Sequence, residues 1–295
     1  MFDYDLAMYG AKQMLWGFFK KIAVADVVAV YVDNAYSNLG RCTTIDLWIV
    51  IFFFSIQIYC DFSGYSDIAI GTAKLFGIKL MENFKSPYFA LSIKEFWSRW
   101  HISLSTWFKD YVYIPLGGNR TNSKIRNYIN LMITFMVSGL WHGANWTFVF
   151  WGGIHGLAQI IERNIRDNNK ENKILYKLIR WIIVFTFCNI VWVFFRAESF
   201  RDAFYVISNA FGNFYNMDSY LHSNIGLSKK NLIFSIFTII IVAIYDYFSL
   251  KKDLIAYFRT QKRIIVIGLE YLLVILIGIS LFYGTGSNQF VYFQF

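Results

Sequence analysis

The chain has 295 residues, of which 57% are hydrophobic, 21% aromatic and only 16% charged, and its formal net charge is +9. Soluble domains carry about 25% charged residues, so this composition indicates a multi-pass membrane protein and excludes an ordinary soluble domain. The apolar runs are long and uniform and contain few prolines, which favours helices over the alternating strands of a membrane barrel. We expect the basic excess to lie in loops that set the topology, and not on a nucleic-acid surface.

Residues 1–21 are predicted to form an amphipathic helix that lies along the membrane surface and ends at two lysines. A weak span, broken by Asp26, follows over residues 22–32, and residues 33–46 form a loop. The apolar run over residues 47–70 is long enough to cross the bilayer.

The second half of that run is unusually polar for a membrane span. At helical spacing, Asp61 and Tyr65 share one face and Ser63 and Asp67 share another. Two acids at membrane depth need partners or water. Two interpretations therefore stay open: the segment lines a polar cavity, or it is a hydrogen-bonded brace between helices.

Residues 74–126 are rich in basic residues and contain an aromatic stretch over residues 94–111, in which charges recur every few positions. Such a stretch cannot span a bilayer alone. It is predicted to be a helix that lies in the interface, or one that dips inward with its charges facing protein. Glu95 and Arg99 form an i,i+4 pair on this helix, and His101 follows them.

No Asp, Glu, Lys or Arg occurs over residues 127–161. This run is too long for one span and long enough for two short ones, with the turn near His142. Gly139 and Gly143 flank His142, so a neighbouring helix or a substrate can approach the backbone there. Because ionisable groups at membrane depth are costly and usually functional, we favour a functional role for His142 over packing alone.

Three further spans are predicted over residues 178–195, 231–248 and 264–283. With the basic loops in the cytoplasm, the chain forms seven spans and the His142 turn lies outside. His101 then approaches from the cytoplasmic side and His142 from the outer side. The two histidines meet only if both segments dip toward the middle of the bilayer. There is no long repeat or linker, so residues 1–295 are predicted to form a single integral-membrane domain.

Histidines in membrane segments suit three kinds of chemistry. A neutral imidazole can take a proton from an alcohol and help it attack an acyl carbonyl, or it can relay protons in a transporter. Metal binding is disfavoured, because His101, His142 and His155 lack close ligand spacing and no cysteine or acid joins them locally. His155 is predicted to pack or hydrogen-bond between helices, and His222 to be solvated in a loop.

The stretch over residues 94–105, continued by residues 113–118, resembles the signature of membrane-bound O-acyltransferases. Residues 139–143, followed by residues 151–156, look like the segment that holds the essential histidine of that family. Three further segments are similar to its bacterial branch that contains alginate O-acetyltransferases and, as a close relative, the D-alanine transfer protein of teichoic acids: residues 61–67, 194–198 and 290–295.

The resemblance implies an all-α, polytopic membrane fold, in which interfacial and re-entrant helices complete a ring that is thin at its centre. There a donor from the cytoplasm meets an acceptor from outside. By the same resemblance, His142 is the base or a direct participant in acyl transfer, and His101 positions or polarises the donor thioester. Four residues are implied more weakly in substrate orientation: Trp141, Asn145, Asp61 and Arg99.

The resemblance further implies a multi-pass protein of the cell membrane that acetylates an exported or cell-surface polysaccharide. The donor substrate would be acetyl-CoA or another acyl thioester, with no bound cofactor or metal, and an extracytoplasmic transfer protein is a candidate partner. Relatives usually begin with several more membrane helices, so the chain is expected to be N-terminally short for the family. The alternatives are D-alanine transfer to teichoic acid, a proton-coupled transporter or export subunit, and an inactive truncated remnant.

Overall fold

The computed structural model describes residues 3–165, 174–212 and 225–283, and the described residues form helices and turns without a β-strand. This confirms the all-α prediction. The chain divides into a first unit, made of Met1–Lys85 and Asn209–Gln294, and a second unit, which is essentially Ser86–Ser208. The single domain expected over residues 1–295 stays a prediction.

The α-helices follow the chain from one unit to the other and back. In order they are α1 (Tyr4–Phe18), α2 (Asp26–Ser37), α3 (Thr44–Leu75), α4 (Ile93–Arg99), α5 (Ile102–Phe108), α6 (Lys124–His142), α7 (Trp146–Asn164), α8 (Ile174–Arg196), α9 (Phe200–Gly212), α10 (Lys229–Ser249), α11 (Leu254–Arg259) and α12 (Arg263–Ser280). A π-helical segment, Phe19–Ala25, joins α1 to α2, and a second one, Lys109–Tyr113, follows α5.

Among the described residues, four helices are long and apolar enough to cross a membrane: α3, α8, α10 and α12. They confirm four of the seven predicted spans. The span predicted over residues 22–32 stays a prediction. These residues are helical, because the π-helical segment continues α1 directly into α2, but no helix there is among the four candidate spans. Helices α6 and α7 have 19 residues each but are not apolar enough to join these four.

Helix α1 packs along α3 in the first unit and does not form the separate surface helix predicted for residues 1–21. The two helices cross closely because glycine faces glycine. A Cβ atom added at Gly10 would lie 2.5 Å from the carbonyl oxygen of Gly71, and one at Gly17 would lie 2.6 Å from that of Gly64. From the first pair to the second, the residue number rises along α1 and falls along α3, so the helices run antiparallel with their glycine faces in contact.

We expect Gly17→Val to destabilise the first unit, because the new side chain has to enter space already filled by the α3 backbone. Overpacking of this kind costs about 1–3 kcal/mol. The measurement is the apparent thermal midpoint of the purified protein in detergent. Gly268→Val is the matched control, since a Cβ atom added at Gly268 on α12 has no neighbour within 4 Å. Equal shifts for the two variants would contradict the close crossing.

The lysines predicted to end a surface helix are instead part of a buried charge network in the first unit. Lys20 Nζ lies 2.6 Å from the Asp67 carboxylate, and Lys21 Nζ lies 2.6 Å from the Asp61 carboxylate. Lys20 is only 4% exposed and Asp61 only 1% exposed. Of the two interpretations of the polar half of α3, these contacts support the brace between helices.

In the second unit, α6 and α7 form the hairpin predicted around His142. Their backbones approach closely at two glycines. A Cβ atom added at Gly139 would lie 2.2 Å from the carbonyl oxygen of Phe148, and one at Gly152 would lie 2.2 Å from that of Phe135. The predicted close approach at Gly139 is therefore confirmed, and it fixes the position of the turn that carries His142.

Candidate active site

His142 is the last residue of α6, and the turn that follows it is closed by Asn145. The Asn145 side-chain oxygen accepts a hydrogen bond from the Thr147 backbone N–H at 3.1 Å, which caps the N-terminus of α7. The Asn145 side-chain nitrogen donates to the backbone carbonyl of Glu198 at 2.8 Å. Asn145, a weak candidate for substrate orientation, thus holds the turn in place and connects it to the end of α8.

The His142 imidazole is half-buried among three aromatic rings that meet it edge to face. The ring centroids of Trp141, Trp151 and Phe195 lie 5.1, 5.4 and 5.2 Å from that of His142. Sequence reasoning did not single out Trp151 and Phe195 as neighbours of His142. The signal for Trp151 was the hairpin itself, because folding α7 back on α6 brings residues just after the turn beside His142.

His101 interrupts the stretch that was predicted to be one helix over residues 94–111. Helix α4 ends at Arg99 and α5 begins at Ile102, and each has seven residues. The backbone of His101 has φ 44°, in the left-handed region that residues other than glycine rarely adopt. Such strain costs roughly 1–3 kcal/mol and is concentrated at functional sites. It places the imidazole at a break between two short helices, with Nδ1 3.5 Å from Ser103 Oγ.

The second unit brings together the two segments that carry His101 and His142, the junction between α4 and α5 and the end of α6. The ring of Trp192 contacts both sides. Its centroid lies 5.0 Å from that of Trp100, the residue before His101, and 5.4 Å from that of Trp151, which contacts His142. This packing supports the predicted convergence of the two segments.

Arg99 lies beside this junction and is oriented by Glu95, one helical turn before it on α4. The Arg99 Nη2 atom forms an ion pair with the Glu95 carboxylate, as the i,i+4 spacing predicted. The other Glu95 carboxylate oxygen accepts from the Leu91 backbone N–H at 2.6 Å. Since both carboxylate oxygens of Glu95 are engaged, the Arg99 guanidinium is held in a defined orientation.

His155 plays the interhelical role that the sequence predicted for it. It is fully buried, and its Nδ1 accepts a hydrogen bond from Trp97 Nε1 at 3.2 Å. This bond ties α7 to α4 and leaves the ring proton on Nε2. The Trp151 ring lies between the two imidazoles, with its centroid 5.2 Å from that of His155 and 5.4 Å from that of His142.

Several buried N–H groups of the second unit have no acceptor among the described residues. They are Arg99 Nη1, Trp151 Nε1, His155 Nε2 and Trp192 Nε1. Buried donors normally have partners, so ordered water is expected at these groups, since the Trp151, His155 and Trp192 side chains are at most 1% exposed.

The remaining candidates are placed differently. Trp141 contacts His142, and 56% of Trp141 is exposed, so its ring can also contact a substrate. Asp61 belongs to the first unit, where its described ion pair is with Lys21. His222 and residues 290–295 lie outside the described residues.

Burial lowers the pKa of His101 from 6.5 to about 4, so its ring is neutral at pH 7. Between pH 6.5 and 4 the unfolded chain takes up a proton there that the folded protein does not, so this histidine makes stability fall as the pH falls. We expect the apparent thermal midpoint of the wild type to fall more than that of His101→Asn between pH 7 and 4.5. Asparagine tolerates the left-handed backbone and does not titrate. Parallel pH dependences would contradict a buried neutral ring.

A family model described as the membrane-bound O-acyltransferase family matches residues 8–200. The chain is 41% identical over 245 residues to a probable alginate O-acetylase of Pseudomonas syringae pv. tomato, which covers 82% of this chain and 46% of that protein. It is 44% identical over 197 residues to a peptidoglycan O-acetyltransferase of Helicobacter pylori, with coverages of 66% and 37%. A teichoic acid D-alanyltransferase of Bacillus subtilis is 30% identical over 175 residues, with coverages of 57% and 44%.

These matches confirm the resemblance seen in the histidine motifs, and with the four candidate spans they confirm a membrane-bound protein. The chain spans about half the length of the curated relatives it matches. The family match includes His101, His142 and His155.

Proposed function

This chain belongs to the membrane-bound O-acyltransferase family, and from that premise we propose that its second unit carries the transfer site of a polysaccharide O-acetyltransferase. The observation that carries the proposal is the cluster of aromatic rings that connects the α4–α5 junction, where His101 lies, to the end of α6, where His142 lies. We include in the proposal the ring of helices, thin at its centre, that the sequence resemblance implies.

In the proposed reaction, the neutral His142 imidazole takes the proton from an acceptor hydroxyl as its oxygen attacks the carbonyl carbon of an acyl thioester. The new C–O bond forms, the C–S bond breaks, and the imidazolium returns the proton to the thiolate that leaves. The apolar rings around His142 favour its neutral, basic form, because they offer little solvation to a charge.

His101 and Arg99 are proposed to position the donor. A neutral His101 can donate one ring N–H to the thioester carbonyl, where negative charge develops during attack. Arg99 Nη1 has no acceptor among the described residues and suits a donor carbonyl or phosphate oxygen. Trp141 and Asn145 are proposed to act at the acceptor side, where Asn145 fixes the turn.

The acetyl group and a sugar polymer are favoured by the relatives. The alginate and peptidoglycan relatives, both named for O-acetylation, are 41% and 44% identical and cover 82% and 66% of the chain. The D-alanyltransferase is 30% identical and covers 57%. Acetyl-CoA or another acetyl thioester is the proposed donor, and an extracytoplasmic transfer protein is the proposed partner.

The test is chemical analysis of surface and exported polymers from a strain that lacks the gene and from the same strain with the full chain restored. We expect alkali-labile acetate to fall on deletion and to return on complementation, while ester-linked D-alanine does not change. A fall in D-alanine with constant acetate would replace the proposal with teichoic acid alanylation. Unchanged amounts of both esters would contradict acyl transfer to these polymers.

A further inference from the structure

A large apolar cleft lies in the first unit, among α1, α10, α11 and α12. Its volume is about 720 Å³, within the usual range for small-molecule sites. Leu15, Ile244 and Leu273 are among the aliphatic residues that line it, and Trp16 and Tyr245 stack in its wall with centroids 4.0 Å apart. The cleft lies beside two candidate membrane spans, α10 and α12, so hydrocarbon chains are the solvent available to it.

Lysines provide most of the charge around this apolar cleft. Lys12 is neutralised by Glu270 at 3.0 Å, but Lys251 and Lys252 are exposed, and no carboxylate among the described residues forms an ion pair with either. The neighbouring Asp253 is already engaged, since it caps α11 and accepts a hydrogen bond from a tyrosine of α1.

The two lysines lie at the end of a candidate membrane span, because α10 ends at Ser249 and Leu250 alone separates it from Lys251. Lipid headgroups lie at the ends of membrane spans. The positive-inside pattern places this basic loop at the cytoplasmic surface. The cytoplasmic leaflet is rich in anionic lipids, which attract lysines near the membrane surface.

We propose that the cleft binds one anionic phospholipid, with an acyl chain against the apolar wall and its phosphate at Lys251 and Lys252. The apolar volume of the cleft favours an acyl chain, and the pair of lysines favours a negatively charged headgroup. This site belongs to the first unit and involves neither His101 nor His142, so it is independent of the proposed transfer chemistry.

Native mass spectrometry of the purified full chain in detergent tests the proposal, with phosphatidylglycerol and phosphatidylcholine of matched acyl chains as probes. We expect tighter binding of phosphatidylglycerol, and we expect Lys251→Gln/Lys252→Gln to weaken it by roughly 25-fold, since each lysine near an anionic surface contributes roughly fivefold. Lys229→Gln/Lys230→Gln is the matched control, because these adjacent exposed lysines lie at the other end of α10. We expect no loss from that variant.

Two further measurements separate the contribution of the lipid's acyl chain from that of its headgroup. Leu273→Trp is expected to reduce binding of both lipids by filling the cleft, and glycerol phosphate alone is expected not to compete. Equal binding of the two lipids, an equal effect of the control lysines, or full competition by glycerol phosphate would overturn the proposal. Absence of any lipid binding would also overturn it, and would indicate that protein covers the cleft. The lysine variants test the proposal even if Leu273→Trp fails to fold.

Discussion

Replacing His142 with alanine should reduce acetyl transfer to the polymer by about a hundredfold to ten-thousandfold, the usual contribution of a general base. The variant keeps the α6–α7 hairpin, because the close approach at Gly139 and the Asn145 cap do not involve the imidazole. The measurement is alkali-labile acetate on the polymer in the complemented deletion strain, normalised to the amount of protein in the membrane.

His222→Ala is the matched control for this prediction, since the sequence predicts no role for that histidine in the transfer site. It is expected to restore acetate fully. His142→Gln separates proton transfer from shape, because glutamine fills similar space but does not act as a base. Near-normal acetate with either His142 variant would remove this residue from the mechanism.

Lys21→Met should destabilise the first unit by about 3–5 kcal/mol, because it removes the cation from a buried ion pair. Asp61 is 1% exposed and lies 2.6 Å from Lys21 Nζ, which also pairs with Asp26 at 2.8 Å. The double variant Lys21→Met/Asp61→Leu should recover much of this loss, since apolar side chains of similar size often replace a buried ion pair at little cost. Unfolding in mild denaturing detergent, arranged as a double-mutant cycle, measures the coupling.

Lys85→Met is the control for removing a lysine from an ion pair. Lys85 pairs with Glu82 at 3.7 Å, and both side chains are 62% exposed, so its loss should cost less than about 1 kcal/mol. Asp61→Asn then distinguishes the two roles considered for that acid. If it leaves stability unchanged but lowers transfer, Asp61 orients substrate and the brace is contradicted.

The hairpin at His142 could be predicted because its signals are local. The run without charges surrounds the turn, and the small residues lie beside the histidine. The cap that Asn145 provides is also local, but the sequence analysis did not predict it. The spans α3, α8, α10 and α12 could be predicted for the same reason, since length and hydropathy are properties of the segment itself.

The errors concern contacts between distant residues. The sequence places Lys20 and Lys21 at the end of a surface helix, but they pair with Asp67 and Asp61 on α3, which are far from them in the chain. The close crossing of α1 and α3 was not predicted for the same reason, since one sequence does not reveal which glycines face each other. The helix break at His101 has no propensity signal, because the surrounding packing and not the residue type imposes a left-handed backbone there.

The backbone at position 101 also limits which side chains selection can explore there. With φ at 44°, β-branched residues are disfavoured by main-chain geometry before chemistry is considered, whereas glycine, asparagine and aspartate fit readily. Each variant in a saturation library at this codon must therefore meet two requirements: the protein must fold, and it must then catalyse transfer. Clones that accumulate normally but leave the polymer unmodified should be enriched in those three residues, and they would supply well-folded inactive proteins for trapping a donor.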